Sequence, residues 1–151
     1  MRLALIAPLV GCAVLGLAAC SNSSETPPAE APATPAIPAV LGGVDLGHPL
    51  RAVGTEPFWA VEITPQAITY TAPDNPGLTA TNPGPTIQGT TAVYAAAGAD
   101  GTALVVTLIA TECSDGMSER VYPLIARVEV GSQTLNGCAA SGAFFETQPA
   151  P

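Results

Sequence analysis

From Phe58 onward the sequence alternates apolar and polar positions with a period of two. That spacing belongs to strands buried on one face only. In Phe58-Trp59-Ala60-Val61-Glu62-Ile63 the set Trp59, Val61 and Ile63 falls on one face. After a turn at Thr64-Pro65-Gln66, Ile68 and Tyr70 share a face of the next strand. The stretch from Pro73 to Pro85, rich in Pro and Gly, reads as loop with a short strand near residues 77–81. Residues 88–97 and 102–111 read as a hairpin turning at Asp100-Gly101, a type I′ signal. That turn sets Val93 and Ala95 beside Leu104, Val106 and Leu108. In the last hairpin Tyr122, Leu124, Ala126, Val128 and Val130 alternate with Ile125, Arg127 and Glu129. Gly131-Ser132 then supplies a II′-type turn that sets Val128 opposite Leu135. No window from 50 to 146 carries an amphipathic helical stripe. The expected fold is all-β, a small antiparallel barrel or sandwich of about 6–8 short strands.

The N-terminal third is of a different kind. Met1-Arg2, an apolar run from Leu3 to Leu17 and the tetrapeptide Leu17-Ala18-Ala19-Cys20 make residues 1–19 a secretory signal peptide. The run is too short for a bilayer span, which needs about 20 apolar residues. The tetrapeptide resembles a bacterial lipobox, which implies cleavage before Cys20 and lipidation of Cys20. Several acyl chains hold a protein far more firmly than one, so the expected location is a cell membrane, lipid-anchored. Ser21 and Asn22 follow Cys20 where an aspartate would imply inner-membrane retention. The pattern looks like sorting to the outer membrane of a Gram-negative envelope, facing the periplasm. Residues 20–49 include Pro27, Pro28, Pro32, Pro35, Pro38 and Pro49 and read as a disordered Pro/Ala-rich tether. A folded domain over 50–146 and a disordered tail over 147–151 complete the expected organisation.

Four cysteines reduce to two. Cys12 leaves with the signal peptide and Cys20 is the lipid site, so Cys113 and Cys138 remain in an exported chain. An oxidising compartment favours a disulfide between them. A pair of metal ligands or a redox pair is the rival reading, but there is no Cys-x-x-Cys and no nearby His.

Two segments carry a resemblance. One is Gly54-Thr55-Glu56-Pro57-Phe58-Trp59. The other is Cys113-Ser114-Asp115-Gly116-Met117-Ser118, with Tyr122-Pro123 and a close at Asn136-Gly137-Cys138. Together they resemble a family of bacterial envelope lipoproteins of uncharacterised activity, with a Gly-x-Glu-Pro-Phe-Trp and Cys-x-Asp-x-Met-Ser … Tyr-Pro … Gly-Cys pattern. Its members sometimes occur beside META/HslJ-type domains. The likeness spans about Leu50 to Ala139. Where members often close with Gly-Cys-Gly-Gly, this chain has Gly137-Cys138-Ala139-Ala140. The resemblance implies a β-rich periplasmic domain and no established enzymatic activity.

Glu56, Trp59, Asp115, Met117 and Arg120 form the candidate ligand or partner patch. Glu56 either caps loop amides, pairs with an arginine or serves as a ligand carboxylate. Trp59, on the apolar face, reads as core. Asp115-Gly116 is a tight turn, in which Asp115 and Ser118 either satisfy backbone amides or belong to a recognition loop. Arg120 is a partner for Glu56 or Asp115, and Met117 is either exposed or a gap filler.

The chain has 151 residues, of which 11% are charged, and its only cations besides His48 are four arginines. Removal of Arg2 with the leader leaves three arginines against twelve acids, a net charge of −9. That balance excludes nucleic acid as a partner. One histidine excludes a histidine-built zinc or haem site, and no cofactor is expected. No nucleophile–base pair, phosphate loop or EF-hand spacing is present. The expected function is non-catalytic: a lipid-anchored periplasmic protein whose β-domain binds an envelope protein, glycan or small ligand, or has a structural role. The alternative is an inhibitor of a wall-lytic enzyme such as lysozyme, whose basic surface would be steered to an acidic domain.

Overall fold

A computed structural model describes residues 39–148. The expected signal peptide, Cys20, the expected tether up to residue 38 and residues 149–151 lie outside the described residues. The fold is all-β, as expected.

Described structure extends to the N-terminal side of the expected domain boundary at residue 50. β1 (Val40–Leu41) and β2 (Val44–Asp45) form a small hairpin around Gly42-Gly43. Leu41, Val44 and Leu46 are buried in the main core, so the end of the supposed tether plugs the domain. The Leu46 amide donates to the Ala39 carbonyl at 2.8 Å, which ties the plug's two ends together.

The main sheet contains β3 (Leu50–Thr55), β4 (Phe58–Ile63), β5 (Ala67–Ala72), β6 (Asn75–Thr81), β7 (Thr86–Gln88), β8 (Thr91–Ala97), β9 (Ala103–Ile109), β10 (Leu124–Val130) and β11 (Gln133–Ser141). Every neighbouring pair is antiparallel, in the order β6-β5-β4-β3-β11-β10-β9-β8-β7. Two meanders, β3 to β6 and β7 to β11, therefore join where β11 pairs with β3. The sheet curls until Ala80 of β6 meets Gly98, just beyond β8, in a single bridge. The result is an incompletely closed barrel with more strands than the 6–8 expected.

The inner face follows the period-two reading over most of its length. Trp59, Val61, Ile63, Ile68 and Tyr70 all point inward, and Val128 lies opposite Leu135. Gly131, with φ 58°, makes the primed turn that β10 and β11 require. The β8–β9 hairpin departs from expectation. Its turn is not the two-residue Asp100-Gly101 type. Gly101 N–H donates to the Gly98 carbonyl, and Gly98 N–H donates to the Thr102 carbonyl at 2.8 Å. Gly101 has φ 83°, so this is a three-residue loop with a bulge glycine. The extra residue slips the register by one. Ala92 and Tyr94 face the core in place of Val93 and Ala95, and Tyr94 lies opposite Val106.

Tyr122 also leaves the expected alternation. Pro123 has no N–H to continue the ladder, and Tyr122 instead bridges Cys113 through two 2.9 Å backbone bonds. It joins Cys138 and Ala140 in a second cluster on the outer face of the sheet. A six-residue helix, α1 (Gly142–Thr147), covers that cluster where no helix was expected. The Ser141 hydroxyl caps it by accepting from the Phe144 N–H. Phe144 and Phe145 set their rings 5.4 and 5.8 Å from that of Tyr122. Among the described residues no helix is long and apolar enough to cross a membrane.

Candidate functional site

Cys113 and Cys138 are joined in a disulfide, with Cα atoms 5.6 Å apart. The bond fastens the start of loop 114–121 to β11, and the Cys113–Tyr122 bridge closes the loop's base. Inside the loop one carboxylate does the organising. Asp115 Oδ1 accepts from the amides of Met117 (2.9 Å) and Ser118 (2.8 Å). Oδ2 accepts from the hydroxyls of Ser118 (2.7 Å) and Tyr122 (2.9 Å). Burial pushes the Asp115 pKa up, but these four donors, led by the Ser118 amide, outweigh it and hold the carboxyl well below the usual range. Its lone pairs are spent on the loop itself, the amide-satisfying role of the two weighed for it.

The loop meets the β3–β4 turn. The Thr55 hydroxyl donates to the Asp115 carbonyl at 3.3 Å, and Glu56-Pro57 is the two-residue turn immediately beyond it. The two motif segments thus converge, through Thr55 rather than through Glu56. Glu56 is exposed and lines a separate cleft of about 780 Å³ at the barrel mouth, with Asp74, Asn75 and Gln133. Among the described residues neither Glu56 nor Asp115 has an arginine within 4.0 Å, so Arg120 is not the ion-pair partner expected for either. Met117 is exposed, not a gap filler.

Trp59 explains the glycines of both motifs. Its indole lies across Gly54 and Gly137 on the inner face, and a Cβ at either glycine would overlap the ring. Gly137 also backs directly onto the Val53 carbonyl. Trp59 is therefore core, as its alternation implies, and it also borders the neighbouring groove beside Gly54.

Beside that point a groove of about 530 Å³ runs along the outer face. β3 contributes Arg51, Val53 and Thr55; β4 contributes Phe58 and Ala60. Thr71 to Pro73 close one side, loop 114–121 supplies Asp115 and Arg120, and Tyr122 and Phe145 form the aromatic wall. Arg51 stands over the Phe145 ring at 5.4 Å. Phe58 is 56% exposed at the rim. Arg51 and Phe145 were not among the residues expected from sequence. Arg51 had a legible signal, a cation at an outward strand position; Phe145 had none, because six residues of helix show no period.

His48 is exposed at the plug hairpin, 3.7 Å from Asp45. Among the described residues no group of three or more His, Cys, Asp or Glu side chains gathers as metal ligands. No family model matches the chain, and no curated protein or solved structure matches it.

Proposed function

We propose that this chain is a lipid-anchored, non-catalytic protein of the bacterial envelope whose β-domain binds a ligand in the groove between β3, β4, loop 114–121 and α1.

 The observation that carries this reading is the groove's construction. A disulfide, a backbone bridge and four hydrogen bonds to Asp115 fix one wall before any ligand arrives, which lowers the ordering cost of binding. The opposite wall is sheet, and the surface between them is aromatic and apolar with two arginines. A carboxylate held ionised by four donors is a poor proton shuttle, which supports a non-catalytic role for Asp115. The lipobox at Leu17–Cys20 and the likeness to envelope lipoproteins support the location.

The test is retention. The immobilised protein is incubated with an envelope extract that still holds its small molecules, glycans and proteins, and retained components are identified by mass spectrometry. The reading expects at least one component that is lost on Phe58→Ala and on Arg120→Ala while melting temperatures stay near wild type. Retention indifferent to both substitutions, or nothing retained, overturns it.

A further inference from the structure

The three arginines that follow the leader are not equivalent. Arg127 is ion-paired, its guanidinium 2.7 Å from Glu129. Arg51 and Arg120 line the same groove, and among the described residues neither has a carboxylate oxygen within 4.0 Å. Arg51 is exposed and Arg120 half-buried. The acidic groups nearby do not neutralise them. Asp115 is committed to its own loop, and Glu62, the cross-strand partner of Arg51, lies with Glu146 along a neighbouring depression that Arg51 also borders. A chain with twelve acids and three arginines after its leader has thus placed at one aromatic-walled groove the two arginines that have no ion pair among the described residues.

We propose that this groove takes a small amphiphilic anion, a carboxylate or phosphate monoester held by Arg51 and Arg120 with its apolar body against Phe58, Tyr122 and Phe145. The inference rests on the binding reading above and names the ligand class. Guanidinium groups match the planar oxygens of carboxylate and phosphate, and such charge-assisted bonds are stronger than neutral ones. The aromatic wall holds the apolar end, and Phe145, already beneath the Arg51 guanidinium, keeps that cation oriented. A volume of about 530 Å³ suits a small molecule rather than a polymer.

The experiment uses the mature chain carrying Cys20→Ser, so that no detergent micelle competes for the probe. Three probes are titrated by calorimetry: 1-naphthoate, 1-naphthyl phosphate and the uncharged 1-naphthalenemethanol. Binding of at least one anion about tenfold or more tighter than the alcohol is expected, as a charged hydrogen bond implies. The two anions separate a carboxylate ligand from a phosphate one. Arg51→Gln and Arg120→Gln should each weaken the anion about tenfold and leave the alcohol unchanged, and Arg127→Gln should change neither. Circular dichroism and melting confirm that each variant is folded. An alcohol that binds as well as the anions, anion binding indifferent to both groove arginines, or no binding by any probe overturns the inference. The binding reading is decided separately, by the retention experiment with Phe58→Ala.

Discussion

The Tyr122 hydroxyl donates to Asp115 Oδ2 at 2.9 Å, while the Tyr122 ring packs against Phe144 and Phe145. One side chain thus joins the polar interior of loop 114–121 to the apolar contact under α1. Its counterpart inside the barrel is Tyr94, whose hydroxyl is buried with no hydrogen-bond partner and whose pKa burial pushes up to about 12. The two tyrosines should respond oppositely to loss of the hydroxyl. Tyr122→Phe removes a bond to a charged acceptor and should cost about 1.5–2 kcal/mol, or several degrees of melting temperature. Tyr94→Phe removes an unsatisfied group and should leave the melting temperature unchanged or raise it. Thermal melts of both variants check this; equal losses would contradict it.

Stability should fall in acid partly through Asp115. Its folded pKa lies below the unfolded value, the desolvation that raises it being outweighed by the Ser118, Met117 and Tyr122 donors. The contribution is full above the unfolded pKa of about 4 and is lost progressively as pH drops below that toward the folded value. Urea unfolding between pH 7 and pH 2 should show this decline. Asp115→Asn should lower stability at pH 7 and flatten the profile below pH 4.

The disulfide spans a sequence separation of 25. Closing a loop of that length stabilises by about 3.5 kcal/mol in the chain-entropy model. Cys113→Ala with Cys138→Ala should therefore lower the melting temperature by more than ten degrees, on the order of that energy in a domain this size. Thiol-blocking mass spectrometry of protein isolated from cells without reductant should find both cysteines protected; two alkylated thiols in that sample would sink the pairing as the native state.

Gly54→Ala should destabilise by about 1–3 kcal/mol, because the added methyl overlaps the Trp59 indole. The smaller ring of Trp59→Phe should return part of that loss in the double variant, a coupling that a double-mutant cycle measures. Additive losses would place the cause elsewhere. Gly137→Ala has no such rescue, since its methyl also meets the Val53 carbonyl.

Lipidation at Cys20 predicts that Cys20→Ala abolishes membrane attachment. Labelling with an alkyne fatty acid should mark the wild type and not the variant. A labelled variant would refute the lipobox reading.

Much of the fold was legible because burial on one face leaves a period of two, and β4, β5 and β10 keep it strictly. The β8–β9 hairpin shows where that reading stops. Asp100-Gly101 serves equally in a two-residue turn and at the end of a three-residue loop. The choice between them decides whether Val93 or Tyr94 faces inward, because a slip of one residue exchanges the faces. Leu41, Val44 and Leu46 were hidden by the prolines before them, although Gly42-Gly43 is itself a hairpin signal. In the site, the turn-forming role of Asp115 is local and could be read from Asp115-Gly116-Met117-Ser118. The groove could not, since it brings Arg51, Arg120 and Phe145 together only after β11 has settled against β3.

That placement has a consequence for biosynthesis. β11 is the last strand along the described chain and the middle one of the nine. The β3 to β6 meander lacks its inner neighbour until the ribosome has passed Ser141, since among the described residues it is 138–141 that pair with that edge of β3. The nascent chain therefore carries the open β3 edge from the time residue 55 is made until β11 arrives, and the core is complete only then. A stop codon anywhere before Gln133 would remove the centre of the sheet rather than trim its margin.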